Sequence, residues 1–134
     1  MSIVLGVDRE ARFILDLCKI KSFGKNAAQN ERLTGDARPN EMWLHAKDMP
    51  GSHVIIKAEG SIPDSTLAQA ATLAAWYSKG QHSTMVPIDY TLRRHVKKIP
   101  GGATGMVTYT NQKTAYMTVT EALKDKFSRQ TKLQ

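Results

Sequence analysis

The chain has 134 residues, enough for one domain with a real hydrophobic core and too few for two well-packed ones. Its 41% hydrophobic and 23% charged content excludes a disordered chain, and 19 Lys and Arg against 12 Asp and Glu give a net charge of +7 that favours polyanionic partners. The single cysteine, Cys18, excludes an internal disulfide and the paired-cysteine zinc modules, and no apolar run reaches the length of a membrane span; a cytoplasmic protein with no membrane partner is expected.

Residues 12–22, RFILDLCKIKS, fit two periods. Phe13, Leu17 and Ile20 suit a helix, whereas Leu15, Leu17 and the alternating lysines suit a strand, which is the reading taken. The polar stretch 24–41 reads as a structured connection with a short helical segment around 27–33. In 42–47, Trp43, His45 and Lys47 alternate with Met42, Leu44 and Ala46, as a half-buried strand requires. Met49, Pro50, Gly51 and Ser52 follow as a turn with Gly51 at the position of positive φ, and 53–58, HVIIKA, is a second strand rich in β-branched residues.

After the EGSIPD break the spacing predicts a helix over 65–78, capped by Asp64 or, one turn earlier, by Ser61. Leu67, Ala70, Ala71, Ala74 and Tyr77 share one face, and their small size lets the helix lie close against a sheet. Residues 85–98 read as a strand or a strand and bend, with Pro87 placing its first residues at a sheet edge. The glycine-rich loop 99–105 precedes MVTYTNQKTAYM (106–117), which can close as a hairpin around Asn111 and Gln112; the tail 119–134 is expected to fray. Strands, one main helix and strands again imply a single α+β domain with a mostly antiparallel sheet.

Of the chemistries open to this chain, metal binding is weakly supported. His45 and His53 have only Asp48 as a nearby third ligand, whereas catalytic zinc takes three protein ligands and structural zinc four. Turn parity also matters. A tight turn pairs Ser52 with Met49, opposes His45 to Ile56 and puts the two histidines on opposite faces, while a loop one residue longer or shorter brings them together. Ser52 and His53 are strand neighbours and point apart, and the 101–105 loop lacks the Lys-Ser/Thr of a phosphate-binding loop, so neither a catalytic residue nor a cofactor is expected.

Polyanion binding asks for less: cations for phosphates, amides and hydroxyls for sugars and base edges, and flat rings for stacking. Between Tyr90 and Thr120 lie Arg93, Arg94, Lys97, Lys98 and Lys113 and no acidic residue. Lys25, Asn26, Gln29 and Asn30 precede the first clear strand, and Trp43, His45 and Lys47 lie along it, with Trp43 equally readable as core.

The blocks FGKNAAQNERLT (23–34), NEMWLHAKDMPGSHVIIK (40–57), LAAWYSKGQHSTMVPIDYT (73–91), VKKIPGGATGMV (96–107) and TYTNQKTAYM (108–117) resemble, in order, those of the NFACT-R domain. This is the RNA-binding C-terminal module of ribosome-quality-control NFACT proteins, a group with fibronectin-binding-protein-A-like bacterial members. The pattern falls on Gly24, Lys25, Asn26, Gln29 and Asn30, on Trp43, His45, Lys47, Pro50, Gly51, Ser52 and His53, and on Tyr90, Lys97, Lys98, Gly102, Gly105, Tyr109, Asn111 and Lys113. The resemblance, strongest over 23–118, implies a non-enzymatic domain that binds tRNA or ribosomal RNA of the large subunit. The N-terminal NFACT domain, helix-hairpin-helix segment and coiled coil of full-length members are not in this sequence, and residues 1–22 do not follow the usual lead-in. A stand-alone or excised domain is expected, and the alanine tailing of full-length relatives is not carried over.

The RNA-contacting set is therefore Lys25, Asn26, Gln29, Asn30, Trp43, His45, Lys47, Ser52, His53, Arg93, Arg94, Lys97, Lys98 and Lys113. Its rivals are an RNA- or nucleotide-processing enzyme with His45 or His53 as general acid or base, and a module for DNA or protein adhesion.

Overall fold

The computed structural model describes residues 20–24, 26–57 and 61–118. In chain order the elements are β1 (Ile20–Phe23), α1 (Ala27–Asp36), β2 (Met42–Ala46), β3 (Val54–Ile56), α2 (Asp64–Trp76), β4 (Val86–Leu92), a 3-10 turn (Arg93–His95), β5 (Val96–Lys98), β6 (Val107–Tyr109) and β7 (Lys113–Met117). β1, β3, β2, β4 and β7 pair in that spatial order into an antiparallel sheet, while β5 and β6 form a separate two-stranded ribbon. The α+β class and the antiparallel sheet are those implied by the sequence. Residues 12–19 of the first expected strand, Cys18 and the tail 119–134 lie outside the described residues.

The alternation of β2 divides the core in two. Leu44 and Ala46 join Val54, Ile56, Val86 and Ile88 beneath Ala70, Ala71, Leu73, Ala74 and Ala75 of α2. Trp43 faces the other way, with Ile55 and Val96, and is covered by Leu33 and Ala37 from the α1 region and by Val107 and Tyr109 of the ribbon. The fold is thus three-layered: α2, the sheet, then α1 with the ribbon. Arg93 fastens this third layer at its back. Its guanidinium donates to the Thr34 carbonyl at the end of α1 and to the Val96 carbonyl at 2.8 Å, and its own N–H donates to the Glu41 carbonyl.

Four local expectations are corrected. The positive φ of the 47–52 loop falls on Asp48 (54°), not on Gly51. Gly51 forms a bridge with Ser78, and a Cβ there would approach the Ser78 Cβ to 3.1 Å, so closeness rather than dihedral angle selects glycine. α2 begins after Pro63, which offers no side-chain cap, and Asp64 sits inside the first turn, where its charge suits the helix dipole. Pro87 lies in an interior strand, one residue past the last β2–β4 pair, Ala46 with Ile88; Lys47 N–H reaches its carbonyl, and its missing donor forgoes only the reciprocal bond at the very end of that ladder. Finally, β6 and β7 do not pair with each other. Asn111 (φ 58°) carries the chain from the ribbon back to the main sheet, where β7 pairs with β4.

Gly24 sits at the junction of β1 and α1, where its N–H donates to the His53 carbonyl at 3.0 Å. A Cβ at Gly24 would collide with the Asn30 side-chain oxygen and lie 2.8 Å from its backbone nitrogen. Gly24→Ala is expected to lower stability by about 1–3 kcal/mol, measured as an earlier urea midpoint at unchanged slope; an unshifted midpoint would contradict this packing.

Candidate nucleic-acid interface

The N-terminus of α1 and the loop after β2 are joined by one side chain. Asn30, buried on α1, accepts the His53 N–H at its Oδ1 (3.0 Å) and donates its Nδ2 to the Gly51 carbonyl (3.1 Å). From the other side Ser52 N–H donates to the Tyr77 carbonyl and Lys79 N–H to the Pro50 carbonyl. Held between α1 and the end of α2, the loop cannot close as a tight hairpin. Trp43 pairs with Ile55 and Leu44 with Val54, and this register sets His45 beside His53 on one face, with ring centroids 5.1 Å apart.

A concave pocket of about 970 Å³ opens over these two imidazoles. Asn26, Asn30, His45, Ser52 and His53 from the expected set line it, together with Asp48, Met49, Trp76, Tyr77, Lys79, Gln81, Thr104, Met106 and Tyr109. The wall supplied by the end of α2 escaped sequence reasoning, although two adjacent aromatics, Trp76 and Tyr77, closing an alanine-rich helix were a visible signal.

Trp43 is fully buried, its indole 5.2 Å from His53, 5.7 Å from His45 and 4.8 Å from Tyr109. It supports the pocket floor and touches no solvent, so of the two readings open in the sequence, core and contact, the structure has the core one. His53 is 2% exposed and its Nδ1 lies 2.7 Å from Thr34 Oγ1. Burial, with the neighbouring His45 charge, pushes its pKa down to about 3 against an opposing backbone hydrogen bond at Asn30. Burial also lowers His45, opposed by a backbone hydrogen bond at Gly51 and by the Asp89 carboxylate paired with it across the strands. Both rings are thus neutral near pH 7. Asp89, which no sequence argument singled out, is buried and accepts hydrogen bonds of 2.6 Å from Tyr109 Oη and Thr114 Oγ1, clamping the ribbon to the sheet. Burial and then this carboxylate push the Tyr109 phenol well above its ordinary range.

The basic residues divide. Arg94, Lys97 and Lys98 are exposed, and Lys98 pairs with Glu31 of α1 at 3.2 Å. The Glu31 carboxyl is held below its usual range by the Gly105 N–H and then by Lys98, so this contact joins the ribbon to α1 at the pocket. Arg93 is spent on backbone carbonyls. Lys113 pairs with Tyr90, whose side chain belongs to the α2 side, and so stands across the sheet from the histidines. Lys47 and Gln29 are exposed but do not line the pocket, and Lys25 lies outside the described residues. Among the described residues no group of three His, Cys, Asp or Glu could hold a metal ion, and no helix is long and apolar enough to cross a membrane.

Comparison with known proteins bears on this geometry. The family model of the NFACT protein RNA binding domain matches residues 19–111. The Rqc2 homolog RqcH of Bacillus subtilis (strain 168) is 52% identical over 97 residues, covering 71% of this chain and 17% of that protein. The Rqc2 homolog RqcH of Streptococcus suis (strain 05ZYH33) is 46% identical over 99 residues, covering 73% and 18%. The chain therefore spans less than a fifth of the length of these curated relatives. A solved structure of the C-terminal part of the fibronectin/fibrinogen-binding protein from Streptococcus suis superposes with a TM-score of 0.72 at 43% identity, covering 77% of this chain and 42% of that one.

The buried neutral His53 makes stability depend on pH. An unfolded chain protonates this imidazole near pH 6.5 and the folded one only near 3, so its contribution is complete above pH 6.5 and is lost as pH falls from 6.5 towards 3. Unfolding free energies from urea titrations between pH 7 and 4 are expected to fall by up to about 1 kcal/mol per pH unit. His53→Gln should flatten that curve, and parallel curves for the two proteins would contradict the assignment.

Proposed function

Because the chain belongs to the NFACT RNA-binding domain family, we propose that it binds RNA, either tRNA or ribosomal RNA of the large subunit, within translation and ribosome-associated quality control in the cytoplasm. The observation that carries this reading is one continuous structure: an exposed basic segment, Arg94, Lys97 and Lys98, tied through Glu31 to the α1 edge of a pocket lined by amides and imidazoles. Cations take phosphates without reading sequence, and neutral polar groups beside rings suit sugars and unstacked bases.

The domain acts as a binding module rather than an enzyme. His53 is held neutral and hydrogen bonded to Thr34, and therefore serves the fold. His45 is the remaining imidazole open to the pocket, and its test is simple: His45→Ala should weaken RNA affinity without any turnover being lost, because none should be detected in the parent chain.

If phosphate contact supplies most of the affinity, binding to tRNA falls steeply with salt. Arg94→Ala, Lys97→Ala and Lys98→Ala together should reduce the slope of log affinity against log salt by about two to three units, roughly one per lost phosphate contact. Arg93→Ala should instead lower stability, since it ties Thr34 and Val96. Fluorescence anisotropy across a salt series, with duplex DNA as competitor, measures this; no tRNA binding at low salt, or a slope unchanged in the triple variant, would overturn the reading.

A further inference from the structure

The pocket is larger and less charged than phosphate binding requires. Its roughly 970 Å³ falls in the range of small-molecule sites. Lys79 is the one lysine or arginine among its described lining residues, and Asp48 opposes it, so an anionic group gains little inside. What the lining offers is aromatic and thioether surface and neutral hydrogen-bonding groups. Trp76 and Tyr77 stand edge to face, 6.2 Å apart, and Met106 is 52% exposed.

The polar groups are unequal. Asn30 has both ends of its amide engaged with the backbone, and His53 is closed against Thr34, so neither is available to a ligand in full. His45, Ser52 and Gln81 remain on the lining: His45 is a half-buried ring kept neutral by burial, with one nitrogen toward the Gly51 backbone and the other left for a ligand, and the Gln81 amide carries both a donor and an acceptor. A neutral donor and acceptor beside aromatic and thioether surface matches a heterocyclic base and mismatches a phosphate.

We infer that this pocket receives a single unstacked nucleobase, stacked on the Trp76, Tyr77 and Met106 surface with its edge toward His45, Ser52 and Gln81, while the attached phosphates stay outside. The inference rests on the RNA-binding reading above and gives it a base-recognition step that the basic segment alone lacks.

The test uses the full chain in two arms. In the first, amide resonances are followed by NMR during titration with AMP, UMP and ribose 5-phosphate. AMP, with the larger ring, is expected to shift Ser52, Gln81 and Met106 saturably and more tightly than UMP, and ribose 5-phosphate is expected to leave them unmoved. Met106→Ala, at an exposed position, should weaken AMP at least about threefold. In the second arm, a short single-stranded RNA is compared with its abasic counterpart. The abasic strand should bind about tenfold or more weakly with an unchanged salt slope. Equal shifts from ribose 5-phosphate, or equal affinity of intact and abasic RNA, would overturn the base pocket and leave RNA binding standing. AMP binding without RNA binding would support the pocket and overturn the RNA reading, and silence in both arms would overturn both.

Discussion

The side-chain amide of Asn30 serves residues 51–53 as a neighbouring strand would, accepting one backbone N–H and donating to one backbone carbonyl. A buried peptide group left without a partner costs on the order of 1–3 kcal/mol, so a helix carrying such an amide is fixed in both position and rotation. Gly24 has no Cβ because that amide occupies the space, and Asn26 begins the helix one turn earlier by accepting the Gln29 N–H. The parity of β2 and β3, the pairing of the histidines and the mouth of the pocket all follow from where this one side chain anchors the loop.

The parts legible in the sequence were those decided by local periodicity. Trp43, Leu44 and Ala46 alternate as a strand must, and the alanine face of α2 needed only helical spacing to be recognised. The parts that were not legible depend on partners remote in sequence. The loop at 47–52 is shaped by Asn30 and by the Tyr77–Lys79 segment, neither of which a turn rule can see, and the Asn111 turn reads as a hairpin centre although its two flanks belong to different sheets.

The candidate residues separated along the same line. Composition could find Arg93, Lys98 and Lys113 as cations but could not tell a guanidinium spent on carbonyls, an ammonium paired across 67 residues and a lysine on the far face of the sheet from one another. The family resemblance selected Asn30, Ser52 and His53, yet a polar residue that fits a family pattern can be wanted for the fold, and here Asn30 and His53 meet both descriptions: they line the cavity and hold it open. A site whose walls are also its scaffold has little freedom to drift, because any change in recognition is also a change in stability.

The buried Asp89 carries this coupling past the family boundary. The family match stops at residue 111, but one of the carboxylate oxygens is satisfied by Thr114 on β7, a strand that begins at Lys113. A fragment trimmed to the matched region would expose one side of β4 and leave half of an interior carboxylate without its donor, with the other half still holding Tyr109 and the ribbon. The reach of the family model and the completion of hydrogen bonds thus mark different ends for the same domain, and a cloning boundary drawn by the first would cut into the second.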